Sequence, residues 1–328
     1  MRQLVNPTCL RMAAVIGLLA GGITAFASGA IKVTPDIVYG HKLGMALTMD
    51  MYKPSEPNGA AVLFMNSGGF VSGVFCQYQV TATGIEFVPA EKLILTPYHF
   101  HYPPMEQWSF QGLLDAGFTV FDIRHGSSPK FTLDEIVEDV RRGVRFVKYH
   151  AEEYGIDPDR LGLSGASAGG YLALYLAISA NEGGVHIQSQ IAETGDAVDQ
   201  MPSEVKAVAT WYPAGYDFIA TKKQDPEAYQ YLTALHVDSL LLDSLSIKHY
   251  ISPGDPPIYT VVGNQDFPFI METCRAVHDA YQNLGLDSKL TVLEGSGHEF
   301  RDKDNNYIAV HGKQAMTEIV EWFKTHLK

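Results

Sequence analysis

Gly165-Ala166-Ser167-Ala168-Gly169 sets one serine between two glycines, after the apolar run Leu161 to Leu163 and before a second one, Tyr171 to Ile178. The order reads as strand, sharp turn, helix. A residue at such a turn holds a strained backbone conformation, so the positions two before and two after it must lack side chains. Ser167 is thereby pushed out above the sheet. The helix behind it aims its first N–H groups at the same spot, which favours the negative charge of an oxyanion. The chemistry on offer is acyl transfer through Ser167.

A serine hydroxyl needs a histidine to accept its proton and a carboxylate to orient that histidine. Of twelve histidines, His298 lies in the loop Glu294-Gly295-Ser296-Gly297-His298-Glu299-Phe300, just after the last expected strand. Asp266 follows the strand Ile258 to Val262 in Gly263-Asn264-Gln265-Asp266. The chain order serine, aspartate, histidine suits a catalytic triad on an α/β sheet. A tetrahedral intermediate also needs at least two N–H donors. Ala168, the residue after the serine, offers one. Gly68 and Gly69, in Asn66-Ser67-Gly68-Gly69 after an earlier strand, offer the other, unless that stretch is a simple glycine turn.

Elements that must hold these groups follow from the pattern. Asp36 to Gly40 and Ala46 to Tyr52 read as antiparallel strands separated by His41-Lys42-Leu43-Gly44. Ala60 to Met65 is apolar throughout, as in a strand buried on both faces. Met105 to Ala116 has helical spacing, and Phe118 to Ile123 reads as a strand. Thr132 and Glu135 form a capping box for a helix that runs to Tyr154, with Gly155 as its stop. Val205 to Trp211 and Lys289 to Leu293 are further strands, while Phe269 to Leu284 and Gln314 to Leu327 are helices. The alternation predicts one α/β domain over residues 28–328, a mostly parallel central sheet with helices on both faces. An aromatic insertion at 71–104 and a cap region at 215–252 are expected to interrupt it.

Arg2 and Arg11 precede an apolar run, Met12 to Ala27, that ends in Ala25-Phe26-Ala27. This reads as a signal peptide over residues 1–27, hence export to a periplasm or beyond, with a retained N-terminal membrane anchor as the alternative. No later stretch is long enough to span a bilayer. Cleavage after Ala27 leaves 22 basic residues against 37 acidic ones, a net charge of −15. That balance excludes nucleic acid as a partner and is compatible with a small or carbohydrate-linked neutral substrate. Cys76 and Cys274 remain after cleavage and can pair or stay free; neither has a Cys-x-x-Cys spacing. His99 and His101 alternate as two metal ligands would, but no third is in view, so neither metal nor cofactor is expected.

With these residues in place the chain resembles the α/β-hydrolase superfamily, and within it the esterases and lipases of the hormone-sensitive-lipase and feruloyl-esterase-like (BD-FAE-like) groups. The resemblance rests on the serine turn, on Met49-Asp50-Met51-Tyr52-Lys53-Pro54, and on Tyr154-Gly155-Ile156-Asp157-Pro158-Asp159-Arg160. It extends through Gly263-Asn264-Gln265-Asp266 and Gly295-Ser296-Gly297-His298-Glu299-Phe300. It implies an α/β-hydrolase fold and a serine carboxylic-ester hydrolase. The chain departs from the family where His-Gly-Gly-Gly is usual, because it carries Asn66-Ser67-Gly68-Gly69. Asn66 can still hydrogen-bond the loop. Two alternatives stand beside the esterase: a serine peptidase of the prolyl-oligopeptidase type, and a silent binding protein on the same scaffold.

Overall fold

The computed structural model describes residues 31–73, 78–81, 84–87, 109–180, 195–225 and 239–328. The chain opens with β1 (Lys32–Lys42) and β2 (Met45–Lys53), an antiparallel hairpin. It closes in two residues because Leu43 and Gly44 both take positive φ, 47° and 80°. β1 starts before the strand expected from Asp36. Pro35-Asp36 forms a bulge within it, with Asp36 at φ 53° and its N–H held at 2.8 Å by the Asp50 carboxylate.

The chain continues through β3 (Ala61–Asn66), the small ladder β4 (Tyr78–Thr81) and β5 (Gly84–Phe87), and α1 (Gln111–Asp115). α1 is shorter than the helix expected from Met105 to Ala116, because it begins only at Gln111 with Phe110 as its N-cap; residues 105–108 lie outside the described residues. Then come β6 (Thr119–Arg124), α2 (Leu133–Tyr149), α3 (Ala151–Tyr154), β7 (Leu161–Ala166) and α4 (Ala168–Ile178). The expected single helix from Leu133 to Tyr154 breaks at His150, whose φ and ψ are −97° and 15° and whose ring bonds Glu153. Its capping box is present, since the Glu135 carboxylate accepts from Thr132 N–H at 2.8 Å. Gly155 ends it at φ 65°.

β8 (Ala207–Trp211), α5 (Phe218–Gln224), α6 (Ser239–Ser244), β9 (Ile258–Gly263), α7 (Pro268–Asn283), β10 (Ser288–Leu293) and α8 (Ala309–His326) complete the chain.

Eight strands form one sheet in the order β1-β2-β6-β3-β7-β8-β9-β10, antiparallel at β1/β2 and β2/β6 and parallel from β6 onward. Alternation along β3 divides the core. Leu63 and Met65 face the helices α2 and α4, whereas Val62 and Phe64 face α1 and α8. α4 is buried at all 11 of its residues, so its sequence is apolar on every side. The described part of the 215–252 segment packs on α4: Tyr171 donates to Leu245 O at 2.8 Å, and Phe218 meets the Tyr171 ring edge-on.

Candidate active site

Ser167 sits between β7 and α4 at φ 54° and ψ −117°. Its N–H donates to Trp211 O at 3.0 Å, which fixes it to the end of β8. The glycines around it are required by close approach. A Cβ on Gly169 would lie 2.2 Å from Met65 O, and one on Gly165 would lie 2.4 Å from Gly169 O. The elbow is therefore wedged against β3, and Ala168 opens α4 directly after the serine.

Two loops deliver the partners. β9 ends at Gly263, and the next turn brings Asp266 round, with Gln265 N–H bonded to Ser296 O at 2.7 Å across the two loops. The buried Asp266 carboxylate accepts from Phe267 N–H at 2.7 Å. It lies 2.9 and 3.1 Å from His298 Nδ1. His298 Nε2 lies 3.1 Å from Ser167 Oγ. The carboxylate fixes the proton on Nδ1, so Nε2 presents a lone pair to the serine hydroxyl. The three residues singled out from the sequence thus meet in one chain of hydrogen bonds.

His298 begins a 3-10 turn, His298–Phe300, whose Glu299 and Phe300 take φ of 56° and 55°. Phe300 is buried against Trp211 and Tyr212, which anchors the turn. The imidazole packs against two rings, Tyr212 at 4.7 Å and Phe267 at 5.3 Å between centroids. Tyr212 has a strained φ of 37° and gives its N–H to Val261 O at 2.7 Å. Sequence reasoning missed it, since Trp211-Tyr212-Pro213 reads only as the end of a strand.

The loop after β3 supplies the remaining face. Gly169 N–H donates to Ser67 O at 3.2 Å, tying this loop to the elbow. Gly68 and Gly69 part company here. Gly68 N–H donates to Val71 O at 3.0 Å, while Gly69, at φ 56°, has its N–H outside that turn and without an acceptor among the described residues. Asn66, standing where a histidine is usual, is fully buried. Its Nδ2 donates to both carboxylate oxygens of Asp122 at 3.1 and 3.0 Å, and its Oδ1 accepts from Gly73 N–H at 3.2 Å. Burial pushes the Asp122 carboxyl up to about 7 against the nearby Arg124 charge, which pulls it down. Arg124 itself bonds Asp50 at 2.8 and 2.7 Å. Asp122 was also missed in the sequence, because nothing local distinguishes it from any acid in a strand.

Among the described residues no three His, Cys, Asp or Glu side chains are grouped to hold a metal. Cys274 is a buried free thiol, and Cys76, His99 and His101 lie outside the described residues, as do residues 1–27. No described helix is long and apolar enough to cross a membrane. A hollow of about 300 Å³ lined by Glu204, Lys206, Asp255 and His326 opens at the opposite edge of the sheet, before β8 and β9. It has no part in the serine chemistry.

The BD-FAE family model matches residues 102–280, more than half of the chain. The chain belongs to the BD-FAE family. The matched span of this BD-FAE protein includes Ser167 and Asp266, and His298 follows it. Over 190 residues, 56% of the chain, it is 25% identical to esterase LipQ of Mycobacterium tuberculosis, covering 42% of that protein. Over 182 residues, 52% of the chain, it is 30% identical to the probable carboxylic ester hydrolase LipM of the same organism, covering 39% of it. The matched parts thus span about two fifths of these curated relatives' length. Among solved structures, carboxyl esterase 2 of the mycorrhizal fungus Tuber melanosporum superimposes with a TM-score of 0.61 at 20% identity, over 94% of this chain and 90% of that one. The shared fold is that of the α/β-hydrolases.

Proposed function

We propose that this BD-FAE protein is a serine carboxylic-ester hydrolase working through an acyl-enzyme on Ser167. One arrangement carries the reading: His298 bridges Ser167 Oγ at 3.1 Å and Asp266 at 2.9 Å. Ser167 Oγ attacks the ester carbonyl carbon as His298 Nε2 takes its proton. The carbonyl oxygen becomes an oxyanion that Ala168 and Gly69 N–H groups stabilise. Collapse breaks the bond to the alcohol oxygen, which leaves with the proton from Nε2. Water, deprotonated by the same nitrogen, then attacks the acyl-serine and releases the acid. Asp266 keeps the Nδ1 proton in place throughout and stabilises the imidazolium. Every step uses the chain's own groups and water.

The names of LipQ and LipM, an esterase and a probable carboxylic ester hydrolase, support the same reaction class. Export belongs to the reading as well, on the leader-like residues 1–27. Cell fractionation should find the protein outside the cytoplasm with an N-terminus at Ser28 by mass spectrometry; an intact Met1 on protein confined to the cytoplasm would remove that part.

The test is hydrolysis of p-nitrophenyl esters of increasing acyl length, beside Ser167→Ala and a proline-linked peptide chromogen. Turnover of esters that the alanine variant lacks is the expected result. Cleavage of the peptide with no ester turned over would assign a peptidase, and silence on both would assign a binding protein.

A further inference from the structure

We infer that the stacked rings of Phe267 and Phe269 form the leaving-group subsite, and that it takes an alcohol carrying an aryl ring. The inference rests on the ester-hydrolase reading and adds the class of alcohol. Phe267 is 49% exposed, although the helix that follows it buries Ile270, Met271 and Cys274. Its ring lies parallel to Phe269, 12° between planes and 5.6 Å between centroids. It also touches His298 at 5.3 Å. Its backbone is pinned, since Phe267 N–H donates to the Asp266 carboxylate at 2.7 Å and Pro268 fixes the next residue at the helix start.

The side of the site follows from the proton's path. His298 Nε2 gives its proton to the departing oxygen, so that oxygen comes within hydrogen-bond reach of Nε2 and its substituent passes the rings beside the imidazole. Of the two rings there, Tyr212 is buried and offers no free face, whereas Phe267 is open to a ligand. A pre-ordered, half-exposed aromatic pair stacks a planar ring with little ordering cost. An aryl ring meets that description, whereas a pyranose chair is puckered and serves as the control.

Phe267→Leu keeps apolar bulk against His298 and removes the flat face. Rates for the variant and the wild type are compared on three acetates: propyl, benzyl, and a monoacetylated methyl xylopyranoside. Expected is a loss in kcat/KM on benzyl acetate about 3- to 10-fold greater than on propyl acetate or the xylopyranoside acetate, in line with an aromatic pair. A loss confined to the xylopyranoside would overturn the aryl assignment. Equal loss on all three would show that Phe267 only walls the imidazole, and would overturn the subsite. Binding of benzyl alcohol to Ser167→Ala, followed by ligand-observed NMR, judges the subsite without turnover. Binding weakened by Phe267→Leu in that background supports it, and no binding, or unchanged binding, removes it. If no ester is cleaved at all, the hydrolase reading fails on its own measurement and the NMR result still decides the subsite.

Discussion

Asn66 and Asp122 are joined inside the sheet: the Asn66 amide nitrogen lies 3.1 and 3.0 Å from the two Asp122 carboxylate oxygens, and its Oδ1 takes Gly73 N–H at 3.2 Å. The Ser72 hydroxyl donates to Asn66 O at 2.8 Å from the far side of the same turn. Both flanks of the Ser67 to Gly69 loop are thus fastened by one side chain. Asn66→Ala is expected to lower kcat by about 10-fold with little change in KM, less than the ~100-fold or more that follows removal of an oxyanion donor itself. Steady-state kinetics on a short-chain ester check this. A rise in KM at constant kcat would mean that Asn66 serves substrate binding instead.

Asp122 should leave a signature in stability against pH. Its carboxyl is raised from 3.8 to about 7 by burial, so between those values the folded chain binds more protons than the unfolded one. Its contribution therefore falls as pH rises across that window. His125 works oppositely, since burial lowers it from 6.5 to about 4 and acid below 6.5 destabilises it. The difference in Tm between wild type and Asp122→Asn isolates the first effect, because His125 is common to both. That difference should move against the wild type from pH 5 to pH 8, and a flat difference would contradict it.

Gly169→Ala is expected to cost at least about 1–3 kcal/mol, as overpacking does. The obstacle is Met65 O, 2.2 Å from the added Cβ, and a backbone carbonyl in a central strand cannot swing aside. The urea midpoint measures it; an unchanged midpoint would show that α4 can shift away from β3.

Much of the site was legible in the sequence because each reactive group follows a strand or turn with a local signature. Gly165 and Gly169 mark Ser167, Gly263 marks the turn to Asp266, and Gly295 and Gly297 flank His298. What was not legible depends on distant partners. Gly68 and Gly69 look equivalent in sequence, and only the bond from Gly68 N–H to Val71 O separates them. Asp122 gains its role from Asn66, 56 residues away, and Tyr212 from a ring contact with His298. The fold was readable for the same reason in reverse. β3 and α4 are apolar on all sides, which few arrangements other than a covered parallel sheet can bury. The β1 bulge escaped because Pro35-Asp36 has the composition of a turn.

Asp266→Asn should keep the fold and lose the tautomer. A carboxamide can still accept from Phe267 N–H but stabilises the imidazolium poorly, so kcat should drop on the order of 10³ to 10⁴. Circular dichroism and the rate on one ester together decide it. Activity within a few-fold of wild type would show that Asp266 does not serve His298.

The central claim is that Ser167 Oγ becomes acylated. Treatment with a p-nitrophenyl alkylphosphonate, which transfers its phosphonyl group to an activated serine, followed by peptide mass spectrometry, tests it most directly. The account predicts one adduct, on Ser167, with stoichiometric release of p-nitrophenol and parallel loss of ester hydrolysis. An unmodified Ser167 in protein that still hydrolyses esters, or an adduct on another side chain, would contradict it.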